Sequence, residues 1–327
     1  MLAELSEDAT AVWSRTRWSK VGLAVSATVI AASAFILWDR LHDLDIDRVL
    51  AILRATPAAH VIAAAAAIAA SYGMLTFYDW FALRTIGASH VPYRIAAMAS
   101  FTAYSIGHNV GATVLTGGAI RYRIYSSWGL RLLDVAKLCF VTGLTFWLGN
   151  LAVLGLGMVC VPEAASALDH LPPWANRALG IAALCALIGY VAYVQRQPRS
   201  FGADRWQVTL PGGALTLVQI FIGVAELSCG AVAMSLLIPA EPHIGFVTLA
   251  VIFVFATLLG FASHAPGSLG VFDAAMLVAL GQFNKEELVA GLLLFRLIYY
   301  VIPFALALML LAIRECWAPG AKPERRE

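Results

Sequence analysis

Long apolar runs decide what this chain can fold into. Across residues 58–83 the one formally charged side chain is Asp79, and runs of comparable character cover 21–38, 134–160, 177–194, 212–238 and 286–313. A hydrocarbon core of roughly 30 Å takes roughly 20 apolar residues in a helix. A buried helix of a soluble domain imitates one such run, not six. Composition agrees, because 61% of residues are hydrophobic and only 13% are charged, whereas a soluble domain carries roughly 25% charged residues to keep its surface wet. The chain reads as an all-α polytopic membrane protein. Glu4, Glu7 and Asp8 precede the first run, which continues to Trp38, so it reads as a retained anchor rather than a cleaved signal.

Two further stretches, 95–120 and 244–283, are apolar but interrupted by glycine and polar residues. Charge placement indicates what they do, since Lys and Arg mark the cytoplasmic side. Arg15, Arg17 and Lys20 put segment 1–20 inside, and Asp39, Asp43, Asp45 and Asp47 put the next loop outside. Arg84 and Arg94 precede stretch 95–120, and Arg121, Arg123, Arg131 and Lys137 follow it, so it enters and leaves on the cytoplasmic face. Glu163 and Asp169 then fall outside, Arg196, Arg199 and Arg205 inside, and Glu241 outside. Glu286 and Glu287 end stretch 244–283, so that stretch enters and leaves on the outer face. Arg314, Lys322, Arg325 and Arg326 place the tail, 314–327, inside. This topology puts 16 of the 22 Lys and Arg residues inside and 5 outside, with Arg296 in a span.

The predicted architecture is six full transmembrane helices plus two opposed re-entrant helical hairpins. The order span, span, hairpin, span of residues 21–160 returns upside down in 177–313, forming an inverted repeat of the kind that transporters use. Residues 44–56 place Ile46, Val49, Leu50 and Leu53 at helical spacing among charges, which predicts an amphipathic helix on the membrane surface or a packed loop.

Non-helical backbone at membrane depth survives only against protein or in a water-filled cavity. Gly107-His108-Asn109-Val110-Gly111 and Ser263-His264-Ala265-Pro266-Gly267-Ser268 read as such breaks. Half-helix N-termini there would favour anions, and the Thr116-Gly117-Gly118 segment beside Arg121 and Arg123 would offer a turn of the same kind to a phosphate. Tight helix packing by small residues is the simpler alternative.

Charges at membrane depth need a reason. Asp79, Glu226, Asp273 and Arg296 all lie within apolar stretches. Pairing of Glu226 or Asp273 with Arg296 is one reason; a polar cavity for a charged headgroup or a coupling proton is the other. Asp79 would alternatively snorkel to the interface beside Arg84, and Arg121 and Arg123 would serve as lipid-phosphate ligands or merely set topology. His108, Asn109 and His264 sit at the tips, where each His is a packed hydrogen-bonder or a proton carrier. Cys139, Cys160, Cys185, Cys229 and Cys316 show no metal-ligand spacing and read as packing residues. No metal, cofactor or nucleic-acid partner is expected.

Further motifs run in order along the chain: Tyr78-Asp79-Trp80-Phe81-Ala82-Leu83-Arg84, Ser100-Phe101-x-x-Tyr104, and Thr116-Gly117-Gly118-x-x-Arg121-Tyr122-Arg123 with Tyr125-Ser126 and Gly129-Leu130. Pro266-Gly267-Ser268-Leu269-Gly270-Val271-Phe272-Asp273 and Arg296-x-x-Tyr299-Tyr300-x-x-Pro303 follow. Together they resemble the transmembrane domain of the lysylphosphatidylglycerol synthetase/flippase family (multiple peptide resistance factor). The resemblance implies a lipid flippase domain and adds Tyr299 and Tyr300 to the candidate site. The chain runs only from 314 to 327 beyond its last span, so the resemblance is to a stand-alone inner-membrane member without the aminoacyltransferase domain, and it carries over translocation only. Ser268 stands where the family's usual signature has Gly, and Asp273 where it often has Glu, which leaves headgroup preference open.

The expectation is therefore a phospholipid translocase for an aminoacylated or other phosphatidylglycerol-type lipid, as a homodimer or beside a separate synthase. The competing expectations are a membrane anchor for a separately encoded lipid-modifying enzyme, and a lysyltransferase-family protein contributing to lipid aminoacylation.

Overall fold

The computed structural model describes residue 28 and residues 31–39, 41–196, 199–201 and 207–317. Helix α1 covers residues 31–39. It is followed by α2 Ile46–Ala55, α3 Ala58–Thr85, α4 Tyr93–Val110, α5 Thr113–Tyr125, α6 Leu132–Cys160, α7 Pro162–Asp169 and α8 Pro173–Arg196. Next come α9 Gly213–Leu237, α10 Phe246–Ser263, α11 Val271–Ala279, α12 Lys285–Arg296 and α13 Ile302–Trp317. Among the described residues the other regular structure is short: 3₁₀ turns, one π turn at Leu297–Val301, and an antiparallel ribbon of β1 Arg199–Phe201 and β2 Val208–Leu210.

Among the described residues six helical segments are long and apolar enough to cross a membrane: Ala58–Thr85, Leu132–Cys160, Pro173–Gln195, Gly213–Leu237, Phe246–Ser263 and Lys285–Arg314. Five of them coincide with expected crossings. The sixth, Phe246–Ser263, is the first arm of the second broken stretch; its 18 residues rise about 27 Å. Half of the expected crossing at 21–38 lies outside the described residues, and 31–38 are helical. The segment at 44–56 is a helix, capped by the Asp45 carboxylate accepting from the Arg48 N–H at 3.0 Å, and its Val49 is buried.

The breaks are narrower than their sequence suggests. Helix α4 continues through His108 and Asn109, and the chain turns only at Gly111 (φ 85°) and Ala112 (φ 46°). Side chains add hydrogen bonds at the turn: Thr113 donates to Gly107 O at 3.2 Å, which also accepts from the Gly111 N–H, and Thr116 donates to Gly111 O at 2.9 Å. Thr116-Gly117-Gly118 lies inside helix α5, where its N–H groups belong to the helix, so the expected phosphate-binding turn is absent there. Gly117 instead lets α5 lie against Ala103 of α4, whose carbonyl would be 3.4 Å from an added Cβ. The second break spans His264–Gly270, with left-handed backbone at His264, Gly267, Ser268 and Gly270.

The two tips touch. A Cβ on Gly111 would sit 3.0 Å from His264 O and 3.4 Å from Pro266 Cα, so both the positive φ and the close approach require glycine. Behind the tips, α6 and α9 cross at a second close approach, where a Cβ on Gly149 or Gly223 would lie 2.7–2.8 Å from the other's backbone. Small residues at such crossings let helices pack without a hydrophobic driving force. Gly223→Val is accordingly expected to destabilise the detergent-solubilised protein by about 1–3 kcal/mol, seen as a lower thermal midpoint. An unchanged midpoint would mean the crossing relaxes freely.

Candidate functional site

Two ion pairs, one buried and one partly buried, tie the second arm of each broken stretch to a long helical segment. Asp79 of α3 is fully buried and Arg121 of α5 is 5% exposed. Arg121 donates Nε–H to Asp79 Oδ2 at 2.9 Å and Nη2–H to Oδ1 at 2.8 Å, and the Tyr125 hydroxyl donates to Oδ2 at 2.8 Å. The guanidinium also lies 4.7 Å from the Tyr104 ring centre. A fork with two parallel bonds is the strong form of this contact. It excludes the snorkelling alternative for Asp79, and Arg84 stacks on Trp80 instead, at 4.9 Å. Arg121, treated above as a cytoplasmic marker, is thus an interior charge, while Arg123 stays exposed on the outer side of α5.

In the second pair Arg296 binds Asp273, not Glu226. Its Nε donates to Asp273 Oδ1 at 2.8 Å, Nη2 contacts Oδ2, and Nη1 and Nη2 reach the Gly267 and Ser268 carbonyls at 3.1 and 3.3 Å. Asp273 also accepts from the Gly270 N–H at 3.2 Å, which caps α11. One guanidinium therefore fixes both the loop and the helix that follows it. Glu226 lies apart: it is 6% exposed and accepts a 3.2 Å hydrogen bond from Ser71 Oγ. Among the described residues no cation pairs with it.

The π turn explains how Tyr299 and Tyr300 are placed. Pro303 has no N–H, so it cannot serve the Tyr299 carbonyl four residues back. The Tyr72 hydroxyl donates to that carbonyl at 3.0 Å, and Asn109 Nδ2 donates to the Tyr300 carbonyl at 3.1 Å. The Tyr299 ring stacks between Phe295 (5.1 Å) and His108 (6.2 Å). Tyr72→Phe keeps the ring contact with Phe101 but strands the Tyr299 carbonyl. It is expected to lower stability by about 1–3 kcal/mol in reversible denaturant titration; a loss below measurement error would contradict that bond.

His108, His264, Ser268, Tyr299 and Tyr300 line a cavity of about 160 Å³ between the tips. His108, Tyr299 and Tyr300 also line a second space of about 40 Å³ that reaches Glu226. The His108 Nδ1 atom is buried with no hydrogen-bond partner among the described residues. His264 is left-handed (φ 55°), and its Nδ1 lies 2.9 Å from Ala262 O. The structure thus gathers His108, His264, Tyr299, Tyr300 and Glu226 around two neighbouring spaces that share lining residues, with Asn109, Asp273 and Arg296 holding the walls. Asp79 with Arg121 stands behind Tyr104, and Arg123 does not join the group.

No family model matches the chain. Curated relatives do. An uncharacterized protein of Synechocystis sp. (strain ATCC 27184 / PCC 6803 / Kazusa), slr0712, is 29% identical over 92% of this chain and 94% of its own length. Inner membrane protein YbhN of Escherichia coli (strain K12) is 26% identical over 93% of this chain and 96% of its own. The phosphatidylglycerol lysyltransferase of Staphylococcus haemolyticus (strain JCSC1435) is 28% identical over 59% of this chain, but over only 22% of its own length. These similarities support a multi-pass membrane domain like the one in the lysyltransferases.

Sequence reasoning missed Ser71, Tyr72 and Tyr125 as partners of the buried groups. Two signals pointed towards them: a proline in the last span implies a stranded carbonyl, and a buried carboxyl implies a nearby donor.

Proposed function

We propose that this chain translocates a phospholipid of the phosphatidylglycerol type between the leaflets of a bacterial inner membrane. The carrying observation is the cavity between the touching tips, with His108 and His264 facing it from two different broken helical stretches. Polar side chains such as these at the meeting of two helix breaks are what a midplane headgroup site requires. The relatives agree in kind, one an inner membrane protein and one a phosphatidylglycerol lysyltransferase.

On this reading α4–α5 and α10–α11 are re-entrant hairpins entering from opposite faces, and the two halves, 21–160 and 177–313, form an inverted repeat with both termini cytoplasmic. The exchanged ion pairs support it. The second arm of one hairpin carries the cation, Arg121, and that of the other carries the anion, Asp273; each is bound to a long helical segment of its own half.

The test is transport of fluorescent phosphatidylglycerol by purified protein in liposomes, read by dithionite quenching of the outer leaflet. The protein is expected to move the lipid, and Glu226→Ala, His108→Ala and Arg296→Ala to slow it by about tenfold or more. Normal rates in all three would remove the site assignment. Aminoacyl-phosphatidylglycerol formed in a host expressing this chain alone would favour an enzyme instead. Absent transport together with co-purification of a lipid-modifying enzyme would favour an anchor.

A further inference from the structure

Resting on the lipid reading, we propose that the groove between α5 and α6 is an acyl-chain subsite, holding one chain of a phospholipid whose headgroup occupies the cavity at the tips. The groove encloses about 610 Å³. One wall repeats along α5 at Val114, Leu115, Gly118 and Ala119, and the other faces it from α6, including Cys139 and Phe140. No formally charged residue lines it. Gly118 sets its depth, since even an added Cβ there would come only to 3.7 Å from Cys139 Sγ.

Continuity decides the occupant. Val114 and Leu115 line this groove and also the cavity that holds His108 and His264. A chamber that offers His108, His264 and Ser268 beside apolar side chains, and shares two lining residues with an apolar trough, fits an amphiphile joined at one end. It does not fit a free ion or a peptide, whose backbone amides would lie unpaired along the apolar wall. Length fits as well: eight helical steps from Val114 to Tyr122 rise about 12 Å, against about 15 Å for half the hydrocarbon core. Such a trough lets the chain stay in apolar surroundings while the headgroup sits at depth, so neither half of the lipid meets the wrong medium.

Cys139 supplies a native reporter, and the exposed Cys185 on α8 is its control in the same molecule. The measurement is the rate of N-ethylmaleimide alkylation at each cysteine of the full chain in detergent, read by mass spectrometry. Dioleoylphosphatidylglycerol at about ten times its dissociation constant should slow Cys139 by about tenfold and leave Cys185 within about twofold. Dihexanoylphosphatidylglycerol, with the same headgroup but no chain long enough to fill the groove, should protect Cys139 far less. Equal protection of the two cysteines would mean ordinary surrounding lipid only and would overturn the proposal. So would absent protection, or equal protection by the short-chain lipid. Ala136→Phe, which narrows the groove from α6, should shift transport towards shorter chains; an unchanged chain-length preference would count against the subsite. Loss of transport for every lipid in the unaltered protein is a separate result, and it would sink the lipid reading itself.

Discussion

Replacing Arg121 by Ala is expected to destabilise the protein by about 3–5 kcal/mol, because it leaves the Asp79 carboxylate buried without its partner. Asp79 has no exposed surface, and of its hydrogen-bond partners among the described residues only the Tyr125 hydroxyl would remain. Asp79→Ala should act similarly from the other side, stranding a guanidinium that is 5% exposed. The double variant Asp79→Leu with Arg121→Met removes both charges at similar volume, and buried pairs replaced this way are often neutral in stability. A double-mutant cycle by denaturant titration in detergent should therefore show a large coupling, with most of the loss recovered. The same double variant should recover stability without recovering lipid transport, if the pair must open and close as α5 moves. Full transport in the stable double variant would make the pair only a clamp. A loss within about 0.5 kcal/mol for the single Arg121→Ala change would mean that water reaches Asp79.

The sequence carried the long helices but not their partners. Five crossings were legible because an apolar run of span length has few other folds. Helix α10 was harder: its 18 residues sit at the threshold between a crossing and one arm of a hairpin. The breaks were legible as glycine clusters, yet their extent was not, because His108 and Asn109 are compatible with helix and only Gly111 needs a positive φ. Gly117 and Gly118 misled for the same reason, since a glycine serves a turn and a close helix contact equally well. Charge placement predicted sides from Lys and Arg positions, but it could not tell the interior Arg121 from the exposed Arg123 two residues away. Which carboxyl would meet Arg296 was likewise a matter of packing, and Asp273 holds it because α11 begins where the loop that Arg296 grips ends.

Arg296→Lys should show how much depends on that grip. A lysine keeps the charge but has three donors on one nitrogen, without the planar fork. It would hold Asp273 at best and release the carbonyls of Gly267 and Ser268, which Arg296 now bonds at 3.1 and 3.3 Å. Those carbonyls belong to a loop in which the non-glycine residues His264 and Ser268 take positive φ, and such conformations persist only where their surroundings over-determine them. The loop should therefore loosen before the bundle does. Hydrogen exchange at residues 264–270 is expected to rise by about tenfold or more in Arg296→Lys, matching about 1.4 kcal/mol of lost local stability, while exchange in α3 and α9 stays unchanged. Because His264 and Ser268 line the cavity at the tips, transport should fall with the loop even though global unfolding shifts little. Asp273→Asn makes the complementary test: it spares the loop carbonyls but leaves Arg296, whose side chain is 14% exposed, without a counter-charge. If Asn at 273 slows transport more than Lys at 296, charge balance governs the site; the opposite order, expected here, assigns the larger role to the shape of the loop.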